Sequence, residues 1–230
     1  MWPRTASELV SAQRELAALA RPVWQPLSAL PMVAGCYVCF ARGQAGRGRA
    51  GECGWAAAVL MRGNRGLVES AVTVGAAGAP YEPGLLALRE GPLLEAALRL
   101  LAEAPDVLLV NASGRDHPRA AGLALHLGAA LDRPSVGVTD RPLLAEGREP
   151  GAGRGDTSEL LLGGVEVARM LRTRAGARPV VVHPGWQTDL DTATTVVRAA
   201  TRRARTPEPL RRARQLARYA RAAAGPDPRG

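Results

Sequence analysis

The stretch Val33-Ala34-Gly35-Cys36-Tyr37-Val38-Cys39-Phe40 decides how the chain is read. It follows a lead-in punctuated by Pro22, Pro26 and Pro31 and runs into a Gly/Arg-rich segment. An apolar run so bounded reads as the opening strand of an α/β domain. Strand side chains alternate, so Tyr37 and Cys39 share one face while Cys36, Val38 and Phe40 share the other. Cys36 and Cys39 form a CxxC, but on a strand they diverge and cannot close on a metal or a disulfide. Tyr37, the odd side chain in mid-strand, is the first candidate for chemistry.

Upstream, Ser7 to Leu19 has helical spacing, with Leu9, Ala12, Leu16 and Leu19 on one stripe and Ser7 as the expected cap. Downstream, Gly43 to Gly54 reads as a mobile hairpin connection. Trp55 to Met61 and Leu67 to Val74 read as two further antiparallel strands. Leu85 to Ala104 is an amphipathic helix presenting Leu94, Leu98 and Leu101 inward. Val107 to Val110 and Ser135 to Val138 have the short apolar character of buried parallel strands, joined by a helix opening at His117-Pro118-Arg119. Pro142 to Thr157 is a loop, and Glu166 to Thr173 and Pro179 to His183 are strands. Helices over Asp189 to Arg203 and Glu208 to Ala224 close the chain. Antiparallel strands first, then alternating helix and parallel strand, is the order of a ribonuclease H-like mixed sheet, an α/β fold. The reading is one domain over residues 1–230, with a helix and lead-in over 1–30 and a helix and tail over 207–230.

The formal net charge is +9, and every basic side chain apart from histidine is arginine because there is no lysine. That balance suits a polyanionic partner, DNA or RNA. A solvated arginine face is the competing explanation for the cluster from Arg198 to Arg221. Without lysine, Schiff-base and lysine general-base chemistry are excluded. No run of 18 or more apolar residues occurs and no basic-then-apolar leader opens the sequence, so a soluble, cytoplasmic protein without membrane attachment is expected. Three cysteines outside a secretory context are expected to be reduced thiols.

Several segments resemble the endonuclease V family in order and spacing. They include AQRELA at Ala12 to Ala17, VAGCYVCF, PYEPGLLALREGP at Pro80 to Pro92, and PDVLLVNASGRDHPR at Pro105 to Arg119. RPSVGV, PVVVHPGWQTDLDTA and RTPEPLRRARQLA continue the match towards Ala222. The resemblance implies a ribonuclease H-like fold and a Mg²⁺-dependent nuclease acting near deaminated adenine, with carboxylates holding the metal against the scissile phosphate. It places the family's carboxylates at positions occupied here by Tyr37, Glu90 and Asn111, so that Glu90 alone is acidic. Asp140 stands where the family has a lysine, and Trp186-Gln187 where it has His-Arg. The resemblance also makes Tyr81 and Pro83 a wedge able to part stacked bases. A rigid loop positioning the next helix is the structural alternative.

The remaining candidates follow from residue chemistry. Tyr37 is either a proton donor or a filler of the space a metal would take. Glu90 beside Asp140 would have a raised pKa and could act as an acid or base, or Glu90 could pair with Arg89 or Arg115 and only hold the loop. His117 at a helix start is a candidate proton carrier, while His126 reads as a packed helix histidine. Arg89, His183 and Trp186 join Tyr81 and Pro83 as candidate substrate contacts. The expected function is an endonuclease V-like protein that has lost metal-dependent cleavage and keeps nucleic-acid binding, with no metal or cofactor. The alternative is a metal-independent lyase, isomerase or cyclase working on a small organic substrate with Glu90, Asp140, His117 and Tyr37. A third possibility is a surviving nuclease whose metal rests on Glu90, Asp140, Asp189 and Asp191.

Overall fold

A computed structural model describes residues 2–26, 28, 31–41, 46–63 and 66–225. Eight strands form one mixed sheet: β1 (Met32–Phe40), β2 (Cys53–Arg62), β3 (Gly66–Ala76), β4 (Val107–Val110), β5 (Ser135–Thr139), β6 (Thr157–Leu162), β7 (Val165–Leu171) and β8 (Val180–Pro184), in the order β3-β2-β1-β4-β5-β8-β7-β6. β1 to β3 form the expected antiparallel meander. β4 joins β1, and β5 joins β4, in parallel. β8 returns antiparallel to β5, which departs from the all-parallel second half expected from the sequence. β6 was not anticipated. It pairs with β7 across a two-residue turn, Gly163-Gly164, whose φ values of 59° and 82° are those of a tight hairpin that only glycine adopts without cost.

Five helices cover the two faces: α1 (Ala6–Ala18), α2 (Leu86–Arg99), α3 (Leu123–Leu131), α4 (Leu190–Ala200) and α5 (Glu208–Ala223). Strand alternation decides which helices each residue of β1 meets. Ala34, Cys36 and Val38 pack against Leu9 of α1, Leu88 and Leu94 of α2, and Leu127 of α3. Tyr37 and Cys39 point the other way, towards Ala213, Leu216 and Ala217 of α5. The CxxC is therefore split between two cores, and no disulfide joins Cys36, Cys39 or Cys53.

Two helix starts differ from the sequence reading. α1 is capped by Thr5, whose hydroxyl accepts the Glu8 amide at 3.2 Å, and Ser7 lies inside the helix. His117 does not open a helix. The chain turns over residues 115–120, with Ala120 at φ 50°, and α3 begins only at Leu123. α2 also ends early, at Arg99, before the Ala104-Pro105 step.

Of the connection expected to be mobile, Gly43 to Ala45 lie outside the described residues. Its second half is tied down: the Gly51 amide donates to Ala77 O at 2.7 Å, and Glu52 is buried. No helix among the described residues is long and apolar enough to cross a membrane.

Candidate nucleic-acid interface

The parallel register builds the site. Cys36 of β1 stands beside Val110 of β4, and Val110 beside Gly137 of β5. The next residues along are Tyr37, Asn111 and Val138, so the ends of β4 and β5 arrive beside the middle of β1. Two adjoining cavities open there, and Asn111 and Thr139 line both. The smaller, about 30 Å³, is completed by Tyr37, Asp140, Thr206, Leu210 and Arg214. The larger, about 190 Å³, lies under the loop Tyr81–Gly84 and is bounded by Leu86, His117, Leu123 and Arg141.

That loop is held from beneath. The carbonyl of Gly84 receives Gln13 Nε2 at 3.1 Å, Arg119 Nη2 at 2.7 Å and His117 Nε2 at 3.1 Å. The Arg119 amide donates to His117 Nδ1 at 3.2 Å, so the ring proton must sit on Nε2, pointing at Gly84. Both ring nitrogens are thus engaged, and burial drives the imidazole pKa down to about 4. His117 lines the larger cavity as an anchor of the loop. Above it Tyr81 is 45% exposed, with Pro83 exposed beside it.

On the far side of the larger cavity, residues 141–145 hang from one buried carboxylate. Asp116 accepts the amides of Leu143, Leu144 and Ala145 at 2.6, 2.8 and 2.9 Å. Sequence reasoning passed over Asp116. Its role depends on a contact with backbone amides, which carry no side-chain signature.

His183, fully buried on β8, lies beneath Thr139 at 2.8 Å. The single hydroxyl proton of Thr139 goes to Arg141 O at 2.8 Å, so His183 Nε2 donates and Nδ1 is bare, without a partner. Burial lowers its pKa to about 4. His183 therefore supports the floor of both cavities from below.

The other candidates are placed apart. Glu90 is half-buried on α2, on the Cys36 side of the sheet; burial of the Cys36 thiol, and after it the Glu90 charge, raise the thiol pKa. Its own pKa rises to about 7, through burial opposed by Arg89. Asp140 is not its neighbour: it is exposed and paired with Arg205 at 2.5 Å. The carboxylate pair expected from the sequence is absent, as is any Glu90 ion pair among the described residues. Arg89 is buried in a 2.6 Å bridge to Glu52 and stacks on Phe40 at 3.8 Å, which leaves it no open face for substrate. Trp186 packs with Ala121 and Leu125 behind α3 and donates to Asp132 at 3.2 Å, away from both cavities. Asp189 caps α4 through the Thr192 amide at 2.7 Å, and Asp191 pairs with Arg169 at 2.8 Å. Among the described residues, no three His, Cys, Asp or Glu side chains gather as a metal-binding group.

The family model for endonuclease V matches residues 19–215. This chain belongs to the endonuclease V family. An endonuclease V of Methanopyrus kandleri is 41% identical over 214 residues, covering 93% of this chain and 88% of that protein. The crystal structure of the Streptomyces avermitilis endonuclease V superposes with a TM-score of 0.84 at 36% identity, covering 97% and 96% of the two chains. A Ciona intestinalis endonuclease V, solved with DNA containing an inosine followed by a ribo-adenosine, shares the fold at 23% identity and a TM-score of 0.80. The ribonuclease H-like architecture expected from the order of elements is thereby established for this endonuclease V family member.

Proposed function

We propose that this member of the endonuclease V family binds a nucleic-acid strand at the paired cavities and does not cleave it by metal-dependent hydrolysis. The observation that carries the reading is the make-up of the smaller cavity. It brings together a phenol, an amide, two threonine hydroxyls and a guanidinium, while Asp140, its one carboxylate, is bound to Arg205. Magnesium takes hard oxygen ligands, chiefly carboxylates and water, so this donor set does not fit it.

Nucleic acid, as opposed to a small metabolite, is favoured by size. Cavities of about 190 and 30 Å³ fall short of the roughly 300–1,000 Å³ of small-molecule pockets. An exposed aromatic and proline on a rigidly anchored loop beside the larger cavity suit a base turned out of its stack. The Ciona relative holds inosine-containing DNA, and the same ligand class is assigned here. The localisation that accompanies this function is cytoplasmic, and the chain acts as a single domain.

Fluorescence anisotropy with inosine-containing single and double strands at two salt concentrations tests the binding. Affinity falling with salt is expected, and no binding, or binding indifferent to salt, rejects it. The same strands incubated with Mg²⁺ or Mn²⁺ should stay intact. Cleavage that disappears in Glu90→Gln would establish a working nuclease instead.

A further inference from the structure

The smaller cavity contains an arginine that the sequence reading placed only within a general basic cluster. Arg214 sits on α5 with its guanidinium carbon 5.7 Å from the centre of the Tyr37 ring. The contact is set by backbone packing. A Cβ on Gly35 would stand 2.3 Å from the Pro209 carbonyl carbon and 2.5 Å from Leu210 N, so α5 lies directly on β1 at that point. From Gly35 to Tyr37 the strand advances about 6.6 Å, and from Leu210 to Arg214 the helix advances about 6 Å. The two paths run level, and Arg214 arrives over Tyr37.

The charges around Arg214 are uneven. Asp140 is neutralised by Arg205, whose other nitrogens donate to Arg178 O and Pro179 O. Among the described residues no carboxylate pairs with Arg214, which is exposed. The cavity therefore presents one uncompensated cation together with the amide of Asn111, the phenol of Tyr37 and the hydroxyl of Thr206. Hydroxyls and an amide can donate, and a guanidinium offers a planar fork suited to two oxygens of one oxyanion. About 30 Å³ admits one or two groups the size of water, which fits the oxygens of a single phosphate and excludes a larger ligand.

We infer that this cavity is a metal-independent phosphate site in which Arg214 supplies the positive charge. It holds one phosphodiester of the strand whose neighbouring base enters the larger cavity across Asn111 and Thr139. The inference rests on the nucleic-acid reading above but makes a separate demand, namely that the phosphate is held by Arg214 without a divalent ion.

The experiment measures an inosine-containing single strand against the wild-type chain, Arg214→Gln, Arg214→Lys and Arg218→Gln, all in EDTA. Arg218 is exposed one turn further along α5, outside the cavity, and serves as the charge-matched control. Arg214→Gln is expected to weaken binding about tenfold and to flatten the salt slope by about 0.7, the value for one phosphate contact on a single strand. Arg214→Lys should keep more than half of that slope, and Arg218→Gln should change affinity less than twofold. Equal losses in Arg214→Gln and Arg218→Gln, or wild-type binding abolished by EDTA, overturn the site. If no variant and no wild-type protein binds the strand, the nucleic-acid reading fails, and ³¹P line broadening of inorganic phosphate then decides the site alone. Broadening by wild type and Arg218→Gln but not by Arg214→Gln upholds it, and broadening indifferent to Arg214 rejects it. Melting curves of each variant separate lost binding from lost folding.

Discussion

Glu52 and Arg89 form a buried ion pair whose disruption has a calculable cost. Both side chains are nearly inaccessible, at 4% and 6%, and the bridge is 2.6 Å long. Arg89 also donates to Ala79 O at 3.0 Å and lies over Phe40 at 3.8 Å. Glu52→Ala removes the counter-charge but leaves the guanidinium in place, and an uncompensated buried charge costs about 3–5 kcal/mol. The Ala79 bond and the Phe40 ring, the latter worth up to about 2 kcal/mol when desolvated, survive and hold the loss towards the lower end. In a chain of this length each kcal/mol moves the midpoint by about 2–4 °C, so a fall in Tm on the order of 6–12 °C is expected. Glu52→Leu combined with Arg89→Leu removes both charges and should recover at least half of the loss, since a paired deletion leaves nothing unsatisfied. Urea unfolding of the wild type, Glu52→Leu, Arg89→Leu and the double variant gives the coupling directly. Two single variants that each cost less than about 1 kcal/mol and combine additively would refute a desolvated pair.

Gly35→Ala places a methyl against the Pro209 backbone at 2.3 Å, so α5 must lift from β1. A loss of roughly 1–3 kcal/mol in urea unfolding is expected, together with weaker strand binding in the anisotropy assay because Arg214 moves with the helix. His117, His126 and His183 are each held to a pKa of about 4 by burial, below an unfolded value of about 6.5. The unfolded chain therefore binds more protons between those values, and the stability they confer is complete above about pH 6.5 and drains as the pH falls towards 4. Urea midpoints at pH 7 and 5, with NMR titration of the ring protons, check this, and rings titrating near 6.5 contradict it. Glu90 has the opposite sign: its pKa is raised to about 7, so its contribution is present below about 4.5 and lost as the pH rises through 7. Glu90→Gln should leave stability at pH 5 nearly unchanged and improve it at pH 8, and a destabilised variant at pH 8 would argue for a hidden cationic partner.

The sequence by itself determined seven of the eight strands, the five helices and their order. Alternation along Val33 to Phe40 correctly separated Cys36 from Cys39, and the Val107 to Val110 and Ser135 to Val138 runs were recognisable as buried parallel strands because both faces are covered by helices. It also carried the family, through segments such as Pro80 to Pro92 whose spacing survives where individual side chains do not. It failed at boundaries set by backbone geometry, as at His117, where a turn with Ala120 at positive φ delays α3 to Leu123. β6 escaped because only Leu160 along it is buried, which leaves no core-facing alternation to read, although the Gly163-Gly164 turn was a usable signal.

Only the tertiary structure decided which charges meet. Glu90 and Asp140 looked like partners and are not, since they belong to different layers and Asp140 is claimed by Arg205, 65 residues away. Arg89 resembled a substrate contact and is sealed against Glu52, and Trp186 resembled one and fills a core behind α3. Arg214 comes to Tyr37 from 177 positions along the chain through the close passage of α5 over Gly35, a packing fact with no trace in local periodicity. Secondary structure follows from short-range sterics and hydrophobic pattern, which a sequence displays. The electrostatic partner of a side chain follows from which layers the chain brings together, and that is settled only when the sheet closes between its helices.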